Sequence, residues 1–314
     1  MQVPEHDPSG AETDQPHERK SGMYAIVGRA NVGKSSLMNA MLSDKVSIVS
    51  PIAQTTRNRI RGVLSDARGQ LVFLDTPGVF KAQHDLGRIM NKAARAAVEG
   101  VDGVVLVLDP SCALRDEDVG WMRKLSRGGT PLHIVLNKQD LGWTQEGPCR
   151  QAGEEACERA DAPVVATWHR VSALRNEGVR ELVDTLFAEA PEGPPLFPED
   201  LLTDFPRQLA VADVIREKYF EVLRDEVPHD LAVRVTALEE GESGWTVHAD
   251  ILVNRSSQKG IVIGEKGRLI RRVKRSASRD IAEMYDVEIT LHLWVKVEKN
   301  WSRNFWILRQ LGYD

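Results

Sequence analysis

Between Tyr24 and about Ala188, short apolar runs alternate with longer amphipathic stretches. The runs are YAIV (24–27), LVFLD (71–75), VVLVLD (104–109), LHIVLN (132–137) and VVAT (164–167). Apolar, β-branched runs separated by helical patterns predict a parallel sheet covered on both faces. RIRGVLS (59–65) precedes LVFLD by a short turn around Arg68-Gly69, which predicts an antiparallel partner for it. The expected first domain is therefore α/β, with a mixed, mostly parallel six-stranded sheet.

The pattern breaks at APEGPPLFPEDLLTDFP (190–206), where five prolines in 17 residues predict a linker. Beyond it, Gln208 to Asp225 reads as a helix with Ala212, Ile215, Tyr219 and Val222 on one face. LAVRVTAL (231–238) and WTVHADILV (245–253) alternate as two strands joined by the turn signal GESG. A helix is expected after Gly267 and a last strand at EITLHLWVKV (288–297). This order predicts a smaller α+β domain. The boundaries expected are a disordered tail at 1–22, a first domain at 23–189, the linker at 190–206 and a second domain at 207–314. The tail is polar and no run approaches 18 apolar residues, so neither a secretory signal nor a membrane span is expected, in a cytoplasmic protein.

Composition changes the picture in one place. Hydrophobic residues at 42% and charged residues at 28% are ordinary for a soluble domain protein. The net charge of −5 gives no hint of nucleic acid, but charge read by segment does. Residues 254–279 hold nine Lys/Arg (Arg255, Lys259, Lys266, Arg268, Arg271, Arg272, Lys274, Arg275, Arg279) against one acid, Glu265. Cys112, Cys149 and Cys157 lack metal or disulfide spacing and read as unpaired thiols.

GRANVGKS (28–35) has the spacing G-x-x-x-x-G-K-S between a strand and a helix, the signature of a phosphate-binding loop. Gly28 and Gly33 permit the loop, and the amides of Asn31, Val32, Gly33 and Ser36 belong to the candidate cradle. Lys34 reaches the β/γ-phosphates and Ser35 offers a hydroxyl to Mg²⁺. DTPG (75–78) follows at a strand end, with Asp75 for the metal and Gly78 for the γ-phosphate. NKQD (137–140) and VSAL (171–174) also follow strands. A carboxylate at Asp140 accepts from N1–H and the 2-amino group of guanine, which adenine lacks, so the base expected is guanine. Asn137 and Lys138 support that base, and Ser172, Ala173 and Leu174 form the loop around its O6. DKVSIVSPIAQTTRNRI (44–60) lies where a first switch should be; Thr55 or Thr56, the latter slightly favoured, completes the Mg²⁺ shell when the γ-phosphate is present. Val79 follows Gly78, where Ras-type GTPases carry a water-orienting glutamine, so slow intrinsic hydrolysis is expected. Arg29 and Arg57 read as solvated side chains rather than arginine fingers. The catalytic set expected is Lys34, Thr56, Gly78 and Asn31.

The second glycine-bracketed loop, GEKG (264–267), lacks GK[ST] and is too short for a triphosphate. It fits the GXXG loop of KH domains, which clamps about four nucleotides of single-stranded RNA. The candidate contacts are Arg255, Gln258, Lys259, Gly264, Glu265, Lys266, Gly267, Arg268 and Arg271, with Glu265 expected to repel phosphate.

A GTP site with Val79 followed by a GXXG domain resembles the Era family of bacterial ribosome-assembly GTPases. The resemblance runs from about Met23 to Asp314, through GRANVGKSSLMN, AQTTRNRIRGV, DTPGV, MNKAA (90–94), FPED (197–200), IREK (215–218), VIGEKG, LHLWVKV (291–297) and LGY (311–313). It implies a P-loop GTPase domain followed by an α+β type II KH domain. It also implies GTP/GDP and Mg²⁺ as cofactors, with K⁺ held by Asn31. The partners implied are the 3′ end of 16S rRNA and the 30S subunit, with peripheral inner-membrane association in some members and a monomeric chain. A tRNA-modification GTPase and an RNA-binding module with a merely structural G domain are the alternatives.

Overall fold

A computed structural model describes residues 19–50, 52, 55–79, 85–158, 166–224, 227–241 and 243–313. Most of the expected tail, Gln54 of the switch stretch, Val164 and Val165, Asp225 and Glu242 lie outside them. The N-terminal sheet has the order β2-β3-β1-β4-β5-β6. Its strands are β1 (Lys20–Val27), β2 (Ile60–Asp66), β3 (Gly69–Asp75), β4 (Gly103–Leu108), β5 (Leu132–Leu136) and β6 (Ala166–Arg170). Only β2 runs antiparallel, in a hairpin with β3, as the turn at Arg68-Gly69 predicts.

The apolar runs are buried on both faces because successive side chains alternate sides. Tyr24, Ile26, Val105 and Val107 meet α1 (Lys34–Leu42) and α5 (Val179–Glu189). Ala25, Val27, Leu106 and Leu108 meet α3 (Asp116–Leu125) and α4 (Glu146–Glu158), with Ala94 of α2 (Asp85–Ala96).

Two boundaries differ from expectation. β1 starts at Lys20, inside the expected tail, because Lys20, Ser21 and Gly22 pair in register with Gly69, Gln70 and Leu71. Pairing needs only backbone, so polar residues can extend a strand that apolar periodicity alone would shorten. β6 runs on to Arg170, past the expected end at Thr167, and its described side chains are partly buried or exposed, as an edge position allows.

The proline-rich segment forms no helix or strand, yet it is docked. Gln70 bonds the backbone of Leu196 and Phe197 (2.8–3.0 Å), Leu202 accepts from the Val63 amide (2.8 Å), and Leu202 and Phe205 pack on the apolar layer. It covers the open edge of β2, which would otherwise present unpaired backbone groups.

The C-terminal domain begins with α6 (Arg207–Val222), followed by β7 (Ala232–Gly241), β8 (Gly244–Val253), α7 (Ser256–Ile263), α8 (Arg268–Tyr285), β9 (Ile289–Val297) and α9 (Phe305–Gln310). β7 pairs antiparallel with β8, and β8 parallel with β9. Helices α6 and α8 cover one sheet face through Val211, Ile215, Tyr219, Val273, Ala277 and Ile281. This is the helix, two strands, helices, strand order that the sequence predicts, with α9 added.

Helix α6 departs from its expected amphipathic pattern. Asp213, Arg216, Glu217 and Lys218 are buried along with the apolar face. The helix is covered on the other side by the N-terminal domain: Ile48 joins its apolar cluster, and Lys45 pairs with Glu217 at 2.7 Å. Nor is this the whole contact between domains. Leu86 and Met90 of α2 share a cluster with Ala232, Leu252, Trp301, Ile307, Leu308 and Tyr313.

Candidate functional site

The loop from Gly28 to Ser35 leaves β1 and opens α1, so its amides converge ahead of a helix N-terminus, where an anion is favoured. Gly33 has φ 99°, and a Cβ there would lie 2.3 Å from Nδ2 of Asn137, so only glycine fits. Asn31 is also left-handed, at φ 65°. Lys34 is buried and donates to the Arg29 carbonyl at 2.9 Å. Burial pushes its ammonium down to about 8, with Asp75 opposing. The same burial raises the Asp75 carboxyl, against the pull of Lys34 and of the Ser35 and Ser47 hydroxyls.

Around Asp75 the hard oxygens gather. Ser35 Oγ donates to Asp75 Oδ2 at 2.6 Å and lies 2.7 Å from Thr56 Oγ1, while Ser47 Oγ donates to Asp75 Oδ2 at 2.8 Å. Asp75 Oδ1 is buried and has no hydrogen-bond partner among the described residues. An orphaned carboxylate oxygen beside two hydroxyls fits Mg²⁺, which takes oxygen ligands and retains water. Thr55 points elsewhere, its hydroxyl donating to the Ile52 carbonyl at 2.6 Å. The geometry therefore separates the two threonines that the sequence leaves as alternatives. Gly78 closes the pocket wall: a Cβ there would stand 2.6 Å from Cα of Ala30. The Val79 amide donates to the Gly28 carbonyl, and its half-buried side chain packs against the apolar layer.

The base-recognition residues come together as expected. Asn137 is buried, donating to the Val32 carbonyl (2.9 Å) and accepting from the Ala173 amide (3.0 Å). It thus ties the phosphate loop to the base loop. Ser172 donates to Asp140 at 2.5 Å, which holds that carboxylate's orientation. Lys138 reaches Asp109 at 2.6 Å, a partner at the end of β4 that the sequence reading missed. Leu174 is 83% exposed and touches the site only through its backbone position.

Both arginines near the site overturn their reading as solvated. Arg29 is buried, donating to Asp118 at 3.0 Å and to Cys112 Sγ at 2.8 Å, so it braces the loop from behind. Arg57 is buried in the C-terminal domain. It donates to the Leu231 carbonyl at 3.0 Å and lies 5.9 and 5.7 Å from the ring centroids of Phe220 and Trp301. From the other side, Arg216 of α6 donates to the Thr55 carbonyl (2.8 Å) and to Tyr313 (2.7 Å), and pairs with Asp213 (2.7 Å). Consecutive residues Thr55, Thr56 and Arg57 thus connect the metal-ligand cluster to the second domain.

The second loop is built in the open. Gly264, Lys266 and Gly267 all have positive φ between α7 and α8. All nine basic residues of 254–279 are exposed. Arg271 donates to the Lys266 carbonyl at 2.7 Å and holds the loop's shape. Glu265 pairs with Arg268 at 2.9 Å, so its charge is partly offset rather than left to repel phosphate. Gln258 corrects the expected contact set: it is buried, accepts from the Arg255 amide (2.9 Å) and donates to Asp230 (2.7 Å), capping α7. A capping role was legible in its place three residues into a helix.

Comparison with known proteins agrees with this geometry. Residues 23–138 match a family described as 50S ribosome-binding GTPase, and residues 226–302 match the KH domain. The chain is 39% identical over 300 residues to GTPase Era of Geotalea uraniireducens, covering 94% of this chain and 98% of that one. It superposes on a point variant of Aquifex aeolicus Era bound to GDP·AlF4− with a TM-score of 0.86, 34% identity and coverage of 94% and 99%. An Era in complex with MgGDPNP and nucleotides 1506–1542 of 16S ribosomal RNA gives the same TM-score at 33% identity and the same coverage. A P-loop domain with a guanine-specific base loop, a GXXG domain behind it and likeness along nearly the whole chain together place this protein in the Era family of GTPases.

Proposed function

We propose that this GTPase is a timer in small-subunit (30S) ribosome assembly, whose KH domain holds the single-stranded 3′ end of 16S rRNA while GTP is bound. In this reading Gly28, Asn31, Val32, Gly33, Lys34, Ser35 and Ser36 cradle the phosphates, and Ser35, Thr56 and Asp75 hold Mg²⁺. Asn137, Lys138, Asp140 and the loop Ser172–Ala173–Leu174 hold guanine, and Gly78 meets the γ-phosphate. Bound there, Mg²⁺ would supply positive charge to the phosphates; the chain's own residues orient the phosphates and exclude water. With Arg29 and Arg57 both bonded elsewhere, the positive charge that an arginine finger would give falls to a monovalent cation, K⁺, beside Asn31. The RNA backbone lies on Lys266, Arg268, Arg271, Arg255 and Lys259.

The observation that carries the reading is the tripeptide Thr55–Thr56–Arg57. Thr56 stands 2.7 Å from Ser35 in the metal-ligand cluster, while its neighbours are bonded to α6 and Leu231 of the KH domain. A γ-phosphate that fixes Thr56 also favours the docked KH domain, in which the nine basic side chains stay exposed. Linkage then requires RNA and GTP to favour each other's binding. Single-turnover GTP hydrolysis with and without a short 16S 3′-end RNA, in K⁺ and then in Na⁺, tests this. Faster turnover with RNA and in K⁺ is expected; indifference to both would leave an RNA-binding module with a structural G domain.

A further inference from the structure

The C-terminal sheet has two faces, and the one turned away from α6 and α8 is only half covered. At one end Ala232 and Leu252 are buried under Ile307, Leu308 and Leu311 of the C-terminal segment. At the other end the side chains belong to His248 of β8 and to His292 and Trp294 of β9. An open sheet face is ordinarily polar. Here three rings lie nearly parallel: His248 and His292 at 4.9 Å and 12°, His248 and Trp294 at 5.5 Å and 8°, His292 and Trp294 at 5.9 Å and 19°. Trp294 is 48% exposed. Single exposed apolar residues are common and carry no meaning alone. The three rings stack on one another across adjacent strands, and Trp294, the most exposed of them, leaves ring surface in solvent where a further ring can join the stack.

We propose that this face is a second single-stranded RNA surface, on which His248, His292 and Trp294 stack bases of the strand that the GXXG loop holds by its backbone. The proposal rests on the RNA reading above. Three observations favour RNA as the occupant. The rings lie on adjacent strands of an open sheet face, the place where sheet-face RNA readers stack two or three bases on aromatics. The rings share the edge strand with the clamp domain's helices: β9 is the edge strand, with Leu291 and Leu293 packed among the side chains of α7 and α8 on one face and His292 and Trp294 on the other. Charge permits it as well: Asp250 is bonded by both Arg234 and Lys296 at 2.9 Å, which offsets the carboxylate nearest Trp294 in the register, leaving Glu239 and the β9-flanking Glu288 and Glu298 toward the ends of the strands. The clamp itself takes about four nucleotides, so a longer strand has bases left to place.

The test uses the full-length protein loaded with a non-hydrolysable GTP analogue and two labelled RNAs carrying the same 16S 3′-end core, of about five and about twelve nucleotides. Trp294→Ala should weaken binding of the longer RNA about tenfold, since stacking on one aromatic is worth about 1–3 kcal/mol per base. It should leave the shorter RNA unchanged, and Trp294→Tyr should restore most of the loss. In the wild type, thiouridine placed in the distal bases should photo-crosslink to the peptide containing His292 and Trp294, a readout independent of any variant's folding. Equal binding of the longer RNA by Trp294→Ala, equal weakening of both lengths, or crosslinks confined to α7 and α8 would each overturn the proposal. Failure of the wild type to bind even the shorter RNA would instead overturn the clamp reading beneath it.

Discussion

The two glycine-bracketed loops of this chain face phosphate in opposite ways. In the first, Lys34 is 6% exposed, the cation is held against a backbone carbonyl, and the walls leave no room for a Cβ at Gly33 or Gly78. In the second, Lys266 stands in solvent on a left-handed turn and every neighbouring cation is exposed. A buried cation acts in a low dielectric, where it is strong and selective for a compact charge. An exposed row of cations is screened and unselective, suited to a polymer backbone whose identity is read elsewhere. The lesson is that a glycine loop's ligand is set by what surrounds it, here burial and a hydroxyl on one side and open basic helices on the other.

That comparison can be broken from either end. Lys34→Ala should cost about a hundredfold or more in single-turnover GTP hydrolysis, the scale for losing one preorganised charge-stabilising group. Its RNA affinity in the nucleotide-free state should not change. Lys266→Glu should do the reverse: RNA binding by anisotropy falls about tenfold and more steeply at low salt, while intrinsic GTPase is intact. Crossed effects, with Lys266→Glu slowing hydrolysis without RNA, would merge the two loops into one site. Asp140→Asn sharpens the first loop's partner. An amide donates where the carboxylate accepts, so GTP affinity should fall about a hundredfold or more while xanthosine triphosphate gains, measured by competition for a fluorescent nucleotide.

Much of this was legible in the sequence, because strands buried on both faces announce themselves as apolar runs and loop glycines recur at fixed spacing. That Asp75, Asn137 and Asp140 stand around one site followed from motif order. What periodicity cannot show is a neighbour. Asp213, Arg216 and Glu217 look like the wet side of α6 and are buried, because a segment some 160 residues away lies across them, while Lys218 is buried in a pair with Asp280 of α8. Arg29 and Arg57 sit three residues or fewer from motif residues and read as surface, yet each is committed to a distant partner, Asp118 or Leu231. Gln258 reads as part of a basic RNA face until Asp230 is seen to hold it.

A smaller prediction concerns the far edge of the first domain. His133 and His169, with ring nitrogens 3.3 Å apart, are both pushed by burial down to about 4. Their folded values lie below the usual 6.5 or so, so protonation favours the unfolded chain. Stability should therefore be complete above about pH 6.5 and decline as pH falls toward 4. His133→Asn should flatten that decline in thermal melts across the same range, and an unchanged slope would assign it to other groups.

Between the loops lies the link on which the proposed coupling rests: Arg57 buried against the KH domain, Thr56 in the candidate metal-ligand cluster and Thr55 held by Arg216. A charge-assisted hydrogen bond of this kind contributes about 1.5–3 kcal/mol, enough for roughly ten- to hundredfold coupling. The direct measurement is the RNA affinity of the full-length protein with a GTP analogue and with GDP, in the wild type and in Arg57→Ala. The wild type should bind RNA at least about fivefold more tightly with the GTP analogue, and Arg57→Ala should bring that ratio close to one while nucleotide affinity changes little. An undiminished ratio in Arg57→Ala would contradict the account.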